Sequence, residues 1–296
     1  MQLTIAIMSP GDMGHAVGAV LRQRGLRVIT RLDGRSRRTR ALAAQAGIED
    51  VADDDALVRE ADMLLSILVP AEAVTLAERI ARALHGTGAK PLYVECNAIA
   101  PETTRQIAEI VEGAGARFVD AGIIGPPPRP GAAATRFYAS GRDAAAFARL
   151  RDFGLDVRAV GDRPGQASAL KMCYAALTKG TTALMTELSI AAARLGVSEA
   201  LRAEFEESQP AMLERMRGVV PAMVPKAHRW VGEMEEIART FEACGLTPRI
   251  FEGAAEVYAQ VAGTELGRIS PEDWRRQGGS LEDVVSKLAR SRSRPD

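Results

Sequence analysis

Three stretches carry side chains that could do chemistry. The first is Gly165-Gln-Ala-Ser-Ala-Leu-Lys-Met-Cys-Tyr174. A lysine amine can pass a proton to or from a reacting oxygen if its pKa is pulled toward neutrality. Leu170, Met172 and Cys173 beside Lys171 predict the partial desolvation that would do so. The same lysine also reads as one whose stem packs while its ammonium reaches water. Tyr174, one helical turn on, shares its face and offers a hydroxyl to a substrate or a proton relay; an ordinary packed tyrosine is the competing reading. The second stretch is Ser9-Pro10-Gly11-Asp12-Met13-Gly14. Gly11 would let backbone approach a pyrophosphate, Gly14 would let a helix pack on a strand, and the helix N-terminus would offer N–H groups to phosphate. Serine stands at Ser9, where the dinucleotide fingerprint has its first glycine. The third is Lys226-Ala-His-Arg-Trp-Val-Gly-Glu-Met-Glu-Glu236, which concentrates His228, Arg229, Trp230 and Glu233 within two turns. His228 would face a pocket, and Arg229 or Lys226 would bind an anionic group of a substrate; a solvated helix face is the alternative.

The elements around these stretches predict an α/β chain. Leu3 to Met8 is a short apolar run of a strand buried on both faces, followed by the glycine turn and a helical pattern from Ala16 to Arg24. Arg27 to Arg31 reads as a second strand and Ser36 to Ala46 as a helix. At the tip of a second strand an acidic residue binds the ribose 2′-hydroxyl of NAD, whereas arginine accommodates the 2′-phosphate of NADP. Here Thr30 holds the tip, followed by Arg31, Arg35, Arg37 and Arg38, with Asp33 as the opposing charge. Cations at a helix start oppose its dipole, and a bound phosphate explains them. The expected cofactor is therefore NADP rather than NAD, held through Arg31, Arg35 and Ser36.

Strands are expected at 63–68, 92–96, 117–124, 136–140 and 156–160, with helices at 74–84, from Pro101, and at 143–153. This is a Rossmann-type doubly wound sheet over residues 1–163, whose ligands sit beyond the carboxyl ends of the strands. That rule selects Ser9 to Gly14, Val69, Pro70, Asn97 and the loop from Ile123 to Gly131 as pocket walls. From Gly165 to Gly196 no proline interrupts a helical pattern, enough for a helix of about 45 Å between domains. Beyond it only helices are expected, at 198–207, 210–217, 224–244, 250–263 and 281–289. Residues 164–290 would thus form the long interdomain helix and a helical substrate and dimerisation domain, and 291–296 a disordered tail.

Composition excludes some classes. The 296 residues carry 38 basic and 38 acidic side chains, and 4% are aromatic, which argues against a nucleic-acid partner and base-stacking surfaces. Cys96, Cys173 and Cys244 lie far apart without metal-ligand spacing and read as reduced core residues of a cytoplasmic protein. None of His15, His85 and His228 sits in a ligand-like cluster, so no metal is expected. The N-terminal apolar run is too short for a membrane span and lacks a basic n-region, so it reads as a strand rather than a signal peptide.

The order of motifs resembles the β-hydroxyacid dehydrogenase superfamily, which includes 3-hydroxyisobutyrate and 6-phosphogluconate dehydrogenases. Residues 9–14 look like its Gly-x-Gly-x-Met-Gly. Glu95-Cys-Asn-Ala-Ile-Ala-Pro101 is similar to the segment near the nicotinamide ribose, and Phe118-Val-Asp-Ala-Gly-Ile-Ile-Gly125 to the substrate loop. Gly165 and Lys171 match the spacing of Gly-x-Gly-x-x-x-Lys, and the region 228–237 resembles a branch ending like 6-phosphogluconate dehydrogenase. The resemblance implies Lys171 as catalytic acid/base, Gly122, Ile123, Ile124 and Gly125 in the substrate site, and a homodimer. It implies hydride transfer between NADPH and a small hydroxyl or carbonyl compound. Two departures bear on the substrate. The family's Ser-Gly-Gly is Ile124-Gly125-Pro126 here, and proline has no N–H and isoleucine no hydroxyl to hold a carboxylate. The asparagine four residues after the lysine is Ala175. A substrate other than a simple short hydroxy acid is expected. An imine reductase of the same fold and a non-catalytic NADP-binding protein are the alternatives; Lys171 argues against both, while the altered substrate loop argues for the first.

Overall fold

A computed structural model describes residues 3–129 and 135–291. The expected tail, 291–296, lies outside the described residues but for Ser291, as do residues 130 and 131 of the loop expected from Ile123 to Gly131.

The chain divides into two compact units, at Met172 and Cys173. The first contains β1 (Thr4–Ile7), α1 (Asp12–Gln23), β2 (Arg27–Thr30), α2 (Arg37–Gln45), β3 (Glu49–Asp50), α3 (Asp54–Glu60), β4 (Met63–Ser66), α4 (Ala73–Thr87), β5 (Leu92–Glu95), α5 (Pro101–Gly113), β6 (Arg117–Ile124), β7 (Arg136–Ser140), α6 (Ala144–Ala148) and β8 (Asp156–Gly161). The strand order is β3-β2-β1-β4-β5-β6-β7-β8, parallel except where β6 meets β7. Side chains alternate between faces along a strand, and both faces are covered. Ile5 and Ile7 enter one core with Val28, Val94 and Phe137. Ala6 and Met8 enter the other with Ile29, Leu64 and Tyr93. Strand order reverses direction at β1 and β4, where a doubly wound sheet opens its crevice.

α7 (Gln166–Arg194) begins in the first unit and continues into the second, a 29-residue helix. The second unit continues with α8 (Ser198–Ser208), α9 (Pro210–Met223), α10 (Ala227–Ala243), α11 (Arg249–Gly263), α12 (Pro271–Gln277) and α13 (Leu281–Arg290).

Several local expectations are corrected. The helix expected at 143–153 is α6 followed by a 3-10 turn, Arg149–Phe153, which tightens before Gly154 turns the chain at φ 92° into β8. The helix expected from Val224 starts three residues later, because Pro225 lacks an N–H and Val224–Lys226 closes as a 3-10 turn. α9 runs past the expected Arg217 to Met223, with Pro221 inside it. α12 falls between the helices expected at 250–263 and 281–289, and Ser270 caps it by accepting from the Asp273 N–H. Cys96 is buried as expected, whereas Cys173 and Cys244 are exposed: helix periodicity turns Cys173 outward on α7, and Cys244 caps the C-terminal end of α10.

Candidate active site

The turn after β1 is built around one obligatory glycine. A Cβ on Gly14 would lie 2.1 Å from the Ser9 carbonyl oxygen and 3.1 Å from Ile7 Cγ2, so only glycine lets α1 pack this close to β1. At Gly11 a Cβ would meet nothing within 4 Å, leaving open space over the turn. The Gly11 N–H is turned to the Ser9 carbonyl at 2.8 Å, and the Gly11 carbonyl accepts from the N–H and ring Nδ1 of His15 at 2.9 and 2.7 Å. First-turn N–H groups of α1 have no acceptor within their own helix. A tight turn, open space above Gly11 and a helix N-terminus at the mouth of a parallel sheet fit the pyrophosphate of a dinucleotide.

The basic run after β2 is sorted by its partners. Thr30 is buried and donates to the Ile7 carbonyl at 2.6 Å, which ties β2 to β1. Arg31 is ion-paired with Asp33 at 2.7 Å and Asp54 at 2.9 Å. Arg38 pairs with Asp12 at 2.6 Å. Ser36 caps α2, accepting from the Thr39 N–H at 3.2 Å. Arg35 is half-buried and donates to the Met8 carbonyl at 3.1 Å, beside the glycine turn. Burial, then the neighbouring Arg79 guanidinium, lowers its pKa, with Arg31 adding to the effect. Arg79, on α4, pairs with Asp54 at 2.9 Å.

The ends of β4 and β5 are stapled by Asn97. Its Oδ1 accepts from the Leu68 N–H at 2.6 Å, its Nδ2 donates to Ser66 Oγ at 2.9 Å, and its N–H donates to Glu95 Oε1 at 2.8 Å. Val69, 48% exposed, and Pro70 leave this edge into a 3-10 turn.

Glu95 and Asp120 sit side by side in register on β5 and β6, both buried. Burial pushes the Glu95 carboxyl up to about 8, against the lowering effect of the Asn97 N–H. Asp120 is also raised by burial, but it collects four donors: the N–H groups of Gly165 and Ser168 at 2.8 and 3.0 Å, and the hydroxyls of Ser168 and Ser140 at 2.6 and 3.0 Å. Four donors favour the charged form of Asp120, whereas burial favours the protonated form of Glu95. The Asp120 charge faces the N-terminus of α7, where the helix dipole favours it. Asp120 thus fixes the start of the helix that carries Lys171.

Lys171 donates its ammonium to the main-chain carbonyl of Ile123 at the carboxyl end of β6. Met172 is buried and Cys173 exposed, because successive helical residues point about 100° apart. Gly122, Ile123 and Ile124 belong to β6 itself, with both isoleucines buried, and Gly125 turns out of the strand at φ 123°.

In the second unit, Tyr174 is 48% exposed on α7. Lys179 pairs with Glu233 and lies 5.2 Å from the Trp230 ring centre. His228 and Arg229 are exposed on the first turn of α10, and burial followed by the Arg229 charge lowers the His228 pKa.

Residues 4–154 match the NAD binding domain of 6-phosphogluconate dehydrogenase, and residues 192–261 match DUF1932, a domain of unknown function. The conserved protein MTH1747, whose structure is described as similar to 3-hydroxyacid dehydrogenases, is 30% identical with a TM-score of 0.67, covering 90% of this chain and 100% of that one. The chain belongs to the β-hydroxyacid dehydrogenase superfamily. Two solved enzymes share the fold. The Mycobacterium tuberculosis 3-hydroxyisobutyrate dehydrogenase is 20% identical at a TM-score of 0.67 over 98% of this chain and 100% of its own. A Streptomyces aurantiacus imine reductase is 18% identical at 0.53 over 95% and 98%.

In this dehydrogenase, then, Ser9 to Gly14, Arg35, Val69, Pro70 and Asn97 gather along one sheet edge, and Gly122 and Ile123 meet Lys171 at the same edge. Arg31 and Ser36 are near Arg35 in sequence but already engaged by carboxylates and a helix cap. Arg79 and Asp120 escaped the sequence reading. Nothing in the α4 pattern marks Arg79. Asp120 did leave a signal, a lone carboxylate inside the apolar run of β6.

Proposed function

We propose that the protein is an NADP-dependent oxidoreductase that moves a hydride between the nicotinamide and a small hydroxyl or carbonyl compound, with Lys171 as general acid/base. One observation carries the reading: the Lys171 ammonium is anchored on the Ile123 carbonyl, at the sheet edge that also bears the Gly11–Gly14 turn. Arg35 and, after exchanging a carboxylate, Arg31 would take the 2′-phosphate, with Ser36 beside them. Met13, Gly14 and the open backbone at Gly11 would face the pyrophosphate, and Val69, Pro70 and Asn97 would wall the nicotinamide end.

When bound, the cofactor supplies or accepts the hydride. The protein handles the proton. As neutral amine, Lys171 takes it from the hydroxyl of an alcohol being oxidised; as ammonium, it returns it to the oxygen of a carbonyl being reduced. Gly122 to Gly125 would shape the substrate side, and Tyr174, His228 and Arg229 are proposed as further substrate-binding residues. The substrate side lacks the hydroxyl and N–H groups that would hold a short carboxylate near Gly125, which favours an imine reductase as the second reading.

The protein is proposed to act as a homodimer. Leu177 and Leu184 on α7 and Leu195 just past its end are 67%, 64% and 75% exposed, and spacings of seven and eleven residues set them on one stripe. An exposed leucine row of this kind is ordinarily covered by a partner. No helix among the described residues is long and apolar enough to cross a membrane.

Titration with NADPH and NADH, followed by turnover on carbonyl and imine panels, tests the proposal. Tight NADPH binding and carbonyl turnover that Lys171→Met lowers about a hundredfold, with NADPH binding retained, is the expected result. Unchanged turnover in Lys171→Met removes the lysine role, and imine turnover selects the second reading.

A further inference from the structure

At the carboxyl edge of the sheet, one carboxylate holds two arginines from different elements. Asp54 stands in the first turn of α3. Arg31 Nη1, just past the end of β2, donates to its Oδ2 at 2.9 Å, and Arg79 Nε, from α4, lies 2.9 Å from the same oxygen. The second contact is close enough for an ion pair but is not aligned for a hydrogen bond. Asp54 Oδ1 is buried without a hydrogen-bond partner, and so are the Nε atoms of Arg31 and Arg79. Buried polar atoms are nearly always paired, so three orphans around one ion pair mark an arrangement that a further group would complete. The Asp54 side chain is 13% exposed, against 26% for Arg31 and 36% for Arg79. The carboxylate is therefore the inner member, and the guanidiniums are the outer ones that a ligand would meet.

Arg35 extends the cluster toward the glycine turn. It donates to the Met8 carbonyl at 3.1 Å. Burial and then the Arg79 charge lower its pKa, with Glu72 acting against them. Glu72 is exposed, and Asp33, the second carboxylate on Arg31, is 71% exposed, where water weakens its pull. Three guanidiniums thus share one shielded carboxylate. A phosphate monoester carries about −1.5 to −2 charges at pH 7 and takes paired guanidinium N–H groups, so it outmatches a single shared carboxylate.

We propose, on the NADP-dependent reading, that Arg79 is a third arginine of the site for the adenosine 2′-phosphate and that Asp54 is the internal carboxylate this phosphate displaces. Asp54 and Arg79 together then set the ratio between NADPH and NADH. With NADH, Asp54 keeps both arginines; with NADPH, the phosphate takes them over and gives the orphaned atoms a reason to be there.

Isothermal titration of the full chain with adenosine 2′,5′-bisphosphate and with adenosine 5′-monophosphate tests the site without turnover, because the two ligands differ only in the 2′-phosphate. The wild type should prefer the bisphosphate. Arg79→Met should lower that preference about tenfold with 5′-monophosphate binding unchanged, and Arg79→Lys should restore most of it. Asp54→Asn should raise the preference by removing the competitor. The ratio within each variant cancels a general loss of stability, and Arg79→Gln repeats the measurement if the methionine variant does not fold. A preference unchanged in Arg79→Met, or an equal loss for both ligands, overturns the role of Arg79. A preference that falls in Asp54→Asn makes the carboxylate a support for the arginines and overturns the displacement. Titration with NADPH and NADH separates this site from the reading it rests on. A wild type that prefers NADPH, with the preference kept in Arg79→Met, ends the Arg79 role alone; one that binds both cofactors equally ends the NADP reading and this site with it.

Discussion

Lys171 reaches the carbonyl of Ile123, and the residue before that carbonyl, Gly122, is what lets the two elements come so close. A Cβ on Gly122 would lie 2.8 Å from the Ala167 carbonyl oxygen and 3.0 Å from Lys171 Cβ. The strand therefore positions the lysine through a missing side chain on β6 as much as through the helix that carries it.

Gly122→Ala should accordingly push the start of α7 away from β6. Overpacking against backbone costs about 1–3 kcal/mol, which is a fall of several degrees in Tm for a domain of this size. Turnover should fall further than stability does, since the ammonium loses its register. A variant with wild-type melting and wild-type turnover would show that the contact is not selective.

Arg35 is the arginine of the basic run that lies against the glycine turn without an acidic hydrogen-bond partner among the described residues. Arg35→Met should raise the Kd for NADPH by roughly 10- to 100-fold, as loss of a charge-assisted contact to phosphate would, and leave the Kd for NADH nearly unchanged. Fluorescence titration with both cofactors reads the ratio. Equal losses for the two cofactors would move the 2′-phosphate contact elsewhere.

The buried Glu95 makes stability depend on pH. Its carboxyl is raised from 4.5 to about 8, so the folded chain favours the protonated form. The contribution is complete below about pH 4.5, is lost as pH rises through about 8, and is constant above that. Each pH unit between those two values is worth about 1.4 kcal/mol, so the loss amounts to several kcal/mol. Denaturant midpoints from pH 5 to 9 should slope downward in the wild type and flatten in Glu95→Gln, which keeps an acceptor for the Asn97 N–H. Parallel slopes would assign the titration to another group.

The stripe of Leu177, Leu184 and Leu195 predicts that Leu177→Glu and Leu184→Glu together convert a dimer into a monomer, as sedimentation would show. Each leucine is exposed in the single chain, so the folded monomer should survive the change. A wild type that sediments as a monomer would remove the dimer.

The sequence by itself determined the alternation of strands and helices, the long α7 and the glycine turn, because these rest on local rules. Apolar runs of four to six residues, a proline at the start of α5 and a glycine after α7 act on their immediate neighbours. The 3-10 turns at Arg149–Phe153 and Val224–Lys226 also have local causes, but short-range competition between helical forms decides them. Lys171 was legible as a candidate for proton transfer, whereas its environment was not. Leu170, Met172 and Cys173 are its neighbours along the chain, but a helix turns each of them to a different face, and the group that meets the ammonium comes from 48 residues away. The same holds for the arginines. Arg31, Arg35 and Ser36 look equivalent in a row; only the folded chain brings Asp54 to Arg31 and the Met8 carbonyl to Arg35. Asp120 shows the division most plainly. Its identity marks a polar residue in a buried strand, but the four donors that hold its charge, from β7 and the start of α7, converge on it only in the tertiary structure. Electrostatic partnership depends on distance in space, which a strand crossover or a helix start sets and a local pattern does not record.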